Sequence, residues 1–188
     1  MRRIGFVFLT LASVLATAAL GIPARIALAQ SVKINGLEDF EHRLEAKLAQ
    51  TPPPRPFEVL FPAPAIYVSG VGVMLSSIVN LAYIEQPSPF RGPYTPKELA
   101  GFRDAKLRHV PILEQGMREV MVETAAAADM DAVPANERIV LGVTLFYFKW
   151  EDSSGLPRQI VMSAEKQKLL QARRDKLDLA AVIQEQKL

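Results

Sequence analysis

Arg138–Trp150, R-I-V-L-G-V-T-L-F-Y-F-K-W, is the densest apolar run outside the N-terminus, and its reading decides the fold. β-Branched and aromatic residues dominate it, a composition that fits a pleated, buried surface. One parity carries Ile139, Leu141, Val143, Leu145 and Tyr147; the other carries Val140, Gly142, Thr144, Phe146, Phe148 and Trp150. Apolar groups on both parities describe a central strand covered on both sides.

Downstream, Glu151-Asp152-Ser153-Ser154-Gly155 is turn chemistry, and Pro157 precedes a return strand, Arg158–Ser163, which makes a hairpin. Glu165–Leu188 reads as a closing helix with a stripe at Leu170, Leu177, Ala181 and Leu188, its charged last turns projecting. Upstream, Thr95-Pro96-Lys97-Glu98 is a helix start with a capping threonine, a first-turn proline and a capping-box glutamate. The helix runs to about Ala128, and Pro111 predicts a kink or two helices meeting near Val110, since it lacks an amide hydrogen and crowds the preceding turn. Val110, Leu113, Met117, Val120, Met121 and Thr124 form its apolar stripe.

Phe57–Ile84 reads as a first hairpin. Glu58–Phe61 and Ala65–Val68 are extended, and Pro62 and Pro64 push them to a sheet edge. Ser69-Gly70-Val71-Gly72 turns the chain, and Val73–Tyr83 returns with Val73, Leu75, Val79, Leu81 and Tyr83 on one parity. Gly70-x-Gly72 lacks the third glycine and following helix of a phosphate loop. Before this hairpin, Leu37–Gln50 is a short amphipathic helix with Leu37, Phe40, Leu44 and Leu48 at helical spacing, read either as a partner-docking helix or as packed on its own domain. Thr51–Pro56 (T-P-P-P-R-P) is a stiff spacer.

Residues 1–29 have the layout of a secretory signal peptide: Arg2-Arg3, an Ala/Leu/Val-rich core over Ile4–Ile22, then Ala27-Leu28-Ala29, with cleavage expected after Ala29. The alternative is an uncleaved anchor, which would be the chain's one membrane attachment. The expectation is an exported protein of a bacterial-type envelope, periplasmic or secreted.

The predicted fold is therefore α+β: an antiparallel sheet of two β-hairpins, about four strands, with helices mainly on one face, in the order α-ββ-α-ββ-α. The predicted domains are the signal peptide 1–29, the amphipathic helix 30–50, a proline linker 51–56 and one domain over 57–188. The hairpins share a faint echo, Gly72-Val73-Met74-Leu75 against Gly142-Val143-Thr144-Leu145.

Composition narrows the chemistry. Of 188 residues, 49% are apolar and 22% charged, ordinary globular material. Arg2, Arg3 and Arg25 account for three of the 22 basic residues, leaving 19 against 20 acidic ones after residue 29, a net of −1. No basic run remains to neutralise phosphates, which argues against nucleic acid. The absence of cysteine excludes disulfides, thiolate catalysis and Cys-ligated zinc. Two histidines, His42 and His109, lack any metal-ligand spacing and read as surface residues. No metal site and no cofactor is expected.

Ser163-Ala164-Glu165-Lys166 fits S-x-x-K, in which a lysine amine takes a serine's proton at a helix start, although a serine there equally serves as an N-cap. Glu119 and Glu123 lie one helical turn apart, a like-charge pair that disfavours the helix slightly. Asp129, Asp131, Asn136 and Glu137 offer oxygens to calcium but without the rhythm of a calcium-binding loop. The loop Glu85–Pro96 displays Phe90, Arg91 and Tyr94 on a backbone stiffened by prolines, either as a site or as a plug for the core's rim.

The function this predicts is a non-catalytic module that binds another envelope protein or a second copy of itself. Phe90, Arg91, Tyr94, Phe146, Phe148 and Trp150 are its contact residues, with part of the second sheet face covered by the partner. The rival is a hydrolase or small-ligand binder using Ser163, Lys166 and the 85–96 loop.

Overall fold

The computed structural model describes residues 37–50, 57–62, 65–84, 90 and 92–188. The predicted export segment, the proline spacer and Arg91 lie outside the described residues. The elements are α1 (Leu37–Gln50), β1 (Glu58–Pro62), β2 (Ile66–Val68), β3 (Gly72–Asn80), α2 (Pro96–Ala125), β4 (Arg138–Leu145), β5 (Gln159–Glu165), α3 (Lys166–Asp175), α4 (Leu179–Val182) and β6 (Gln184–Lys187), with a 3-10 turn at Ala128–Met130.

The class is α+β, but the sheet is mixed rather than antiparallel, has six strands rather than about four, and the elements do not follow the order α-ββ-α-ββ-α. Six strands run in the order β1-β3-β4-β5-β6, with β2 also on the outer edge of β3. The two hairpins lie side by side, and their meeting strands, β3 and β4, are parallel, with Gly72 opposite Arg138 and Val79 opposite Leu145. The physical reason is α2. A strand followed by a long helical crossover returns in its original direction, whereas a tight turn reverses it. β4 therefore occupies the middle of the sheet.

The prediction that this middle strand is covered on both faces is corrected. Ile139, Leu141 and Val143 are fully buried, whereas Val140 and Gly142 are half-buried and Thr144 is exposed. Helices cover one face of the sheet. β4 also ends at Leu145, so Phe146, Phe148 and Trp150 belong to the loop that follows.

In β3, Val73, Leu75 and Val79 continue the buried parity. α2 lays Leu113, Met117, Val120 and Met121 over the same face. Burying one such side chain contributes about 1.5–3 kcal/mol. α2 is one helix of 30 residues despite Pro111. Pro111 and Leu107 both lie on the exposed side, where a carbonyl the proline leaves unpaired can turn to solvent. Thr95 and Glu98 form the expected capping box. α1 packs on α2 through Leu44 and Leu48, and Gly116 leaves room for the Leu48 side chain. Lys47 sits between Glu119 and Glu123, at 2.6 and 3.2 Å, and relieves their repulsion.

The predicted closing helix breaks into three pieces. α3 ends at Lys176, whose φ of 53° is left-handed, and Asp178 caps the short α4. The chain then extends as β6 along the outer edge of β5. Its alternate side chains meet charges rather than core: Glu185 pairs with Arg118, and Lys187 with Glu114 at 2.6 Å. No helix among the described residues is long and apolar enough to cross a membrane.

Candidate functional site

Parallel strands leave a natural crevice beyond their carboxyl ends, because the loops there diverge. Here β3 and β4 end together, and the Phe146 amide prolongs their pairing by donating to the Val79 carbonyl at 2.9 Å. Around this end the structure gathers five aromatic rings into one ladder. Phe102 meets Tyr94 edge-on at 5.0 Å, Tyr94 meets Trp150 at 5.1 Å, Trp150 stacks on Phe148 at 5.2 Å, and Phe148 meets Phe146 edge-on at 4.9 Å. Each such pair adds about 0.5–1.5 kcal/mol beyond burial. All five rings are half-buried, so each keeps surface open to solvent.

The ladder is fixed from below. The turn after β4 closes with the Glu151 amide donating to the Phe148 carbonyl at 3.0 Å. Glu151 Oε1 accepts the Phe148 amide at 3.3 Å, while Oε2 pairs with Lys106, their side chains 3% and 1% exposed. Lys106 also lies 5.1 Å from the centre of the Tyr147 ring, a cation–π contact. Burial pulls the Lys106 ammonium below its ordinary value, with Glu151 opposing. Burial first, then the Glu151 charge, pushes the Tyr147 phenol up, and its hydroxyl donates to the Pro157 carbonyl at 2.8 Å. One turn earlier on α2, Arg103 holds Asp152 at 2.8 Å. Two ion pairs from one helix therefore clamp the loop that presents Phe148 and Trp150.

Phe146 and Phe148 form a ridge between two cavities of 530 Å³ each. One is bordered by Thr144, Lys149, Ser153 and Arg158, the other by Glu58, Phe61, Asn80 and Tyr83. Phe61 is 66% exposed and Tyr83 71%.

Of the residues expected at a site, Tyr94, Phe146, Phe148 and Trp150 come together in this ladder. Phe90, 99% exposed, stands on the loop before them. Ser163 and Lys166 are set apart. Ser163 sits on the uncovered face, where its hydroxyl accepts from Arg138 at 2.7 Å. Lys166 is buried on the helix side and donates to the Met130 and Val133 carbonyls at 2.6 and 2.8 Å. Ser163 on β5 and Lys166 at the start of α3 are thus each bonded to other groups, on opposite sides of the sheet. Ser163 also pairs beside Val140, at the other end of β4 from the 92–95 loop.

His109 departs from a plain surface reading. It is half-buried, its Nδ1–H donates to the Leu81 carbonyl at 2.7 Å, and its ring lies 5.7 Å from Phe57. Glu137 is buried, and its Oε1 accepts the Gly70 amide at 2.8 Å and the Tyr67 hydroxyl at 3.3 Å, which ties the first hairpin's turn to β4. Among the described residues no group of three or more acidic, histidine or cysteine side chains is placed to hold a metal. Sequence reasoning missed Phe61, Tyr83 and Phe102, which it had placed as strand or helix positions, and Lys149 and Arg158, which carried no pattern.

Compared with protein-family models, curated proteins and solved structures, the chain finds no match.

Proposed function

We propose that this chain is a non-catalytic binding module of a bacterial-type envelope, exported by residues 1–29, whose recognition surface is the aromatic ladder at the end of β3 and β4. The observation that carries this reading is the clamped loop. Burying Lys106 and Glu151 is costly in solvation, and this pair fixes a turn whose outward product is open aromatic surface. Rings held in place lose little entropy on contact, which favours their use in recognition. Export rests on the basic start, apolar core and Ala-x-Ala ending of residues 1–29.

The test is a photo-crosslinking residue placed at Phe148 in the whole protein in its own cells, with Leu107 on the exposed side of α2 as control. A discrete protein adduct from position 148 and none from 107 is expected. Equal labelling at the two positions, or none at 148, would overturn the assignment of the surface.

A further inference from the structure

Among the described residues, the two margins of the Phe146–Phe148 ridge carry opposite charge. On one side stand Lys149 and Arg158, both exposed. The carboxylate on that side, Glu151, is already neutralised by Lys106. On the other side stands Glu58, also exposed, with the Asn80 amide 3.5 Å from its Oε2. The strip between them is apolar and aromatic, and Phe61 and Tyr83 widen it on the Glu58 side.

We infer that a second copy of this chain covers the ridge, in a two-fold dimer whose axis runs along it. The inference rests on the reading of the ladder as the recognition surface and names its occupant. Rotation about that axis lays the ridge of one copy on the ridge of the other. It also carries Lys149 and Arg158 of each copy over Glu58 of its mate, so one charge match occurs twice. A surface that is cationic at one margin, apolar in the middle and anionic at the other is complementary to itself, as a two-fold interface requires. A partner of single charge sign would match one margin and oppose the other. The arrangement also has the anatomy of a stable interface, an aromatic centre inside a charged rim.

Sedimentation equilibrium of the purified whole protein, with charge reversal, tests this. Wild type is expected to dimerise. The K149E/R158E variant and the E58K variant are each expected to raise the dimer dissociation constant about tenfold or more. The first then carries negative charge at both margins and the second positive charge at both. An equimolar mixture of the two variants is therefore expected to recover the dimer as a mixed pair. The substituted positions are exposed, and unchanged melting temperatures check that each variant folds. A wild type that stays monomeric, a dimer indifferent to the reversals, or a mixture that fails to recover would overturn the inference. A crosslink from position 148 to a different protein, beside a monomeric wild type, would remove the second copy while leaving the recognition surface in place.

Discussion

Lys106 gives up its hydration to reach Glu151 beneath the Phe148 turn, and neither charge has water to fall back on if the other is removed. Lys106→Met is expected to lose about 3–5 kcal/mol of unfolding free energy, because it strands a buried carboxylate. Lys106→Met combined with Glu151→Gln is expected to lose clearly less, and urea titration of both variants checks the order. Backbone geometry makes two further positions sensitive. At Gly72, φ is 129° and an added Cβ would run into the Arg138 carbonyl, so no side chain fits where β3 meets β4. At Lys176, φ is 53° with no glycine to ease it. Lys176→Gly is expected to stabilise the protein by up to about 1 kcal/mol, read as a higher melting temperature. The sequence placed Gly72 in the turn, next to its actual position at the start of β3. It did not show the second reason for the glycine, because that reason is a contact with a distant strand.

Among the elements, α2 was legible from its cap to its stripe, since both are local patterns. Its continuity through Pro111 was not, because that depends on which side of the helix faces water. Pro111→Ala is expected to stabilise the protein by about 2 kcal/mol, through a restored hydrogen bond to the preceding turn. The α1–α2 contact should respond to pH. The Lys47 hydrogen bond holds the Glu119 carboxyl below its ordinary value of 4.5, and the Glu119 bond raises Lys47 above 10.5. A depressed glutamate contributes above its unfolded value and loses that contribution as pH falls through its folded one. A raised lysine contributes below its unfolded value and loses it as pH rises through its folded one. Amide protection in α1 is therefore expected to be greatest between about pH 4.5 and 10.5. The pair is partly exposed, and its effect is about a few tenths of a kcal/mol. Hydrogen exchange in wild type and Glu119→Gln checks this. β6 escaped sequence reading for a related reason. Gln184–Lys187 shows no apolar alternation, because its inward residues answer Arg118 and Glu114 rather than a core.

Across the whole molecule, the antiparallel pairings of β2 with β3 and of β4 with β5 could be read, but not the six-stranded whole, in which β1 and β6 are added. How the pairs combine could not be read either, since alternation along a strand is silent about what lies on its second edge. The excess of apolar residues on both parities of Arg138–Trp150 was a true signal with two sources. Val140 and Gly142 face the half-open side of the sheet, whereas Phe146, Phe148 and Trp150 leave the strand altogether and build the ladder. Of the candidate site, four of the five ring residues, Tyr94, Phe146, Phe148 and Trp150, were visible as residues. Their alignment was not, because it depends on Lys106 and Arg103 of α2 reaching a loop far along the chain.

The parallel seam between β3 and β4 also bears on synthesis, which proceeds from the N-terminus. The first hairpin emerges with one flank of β3 bare, and the strand that will occupy that flank is still unmade while all of α2 is translated. Throughout that interval the nascent chain offers a ready template to any stray extended segment. Only when Arg138–Leu145 has appeared can the chain close that flank with its own strand.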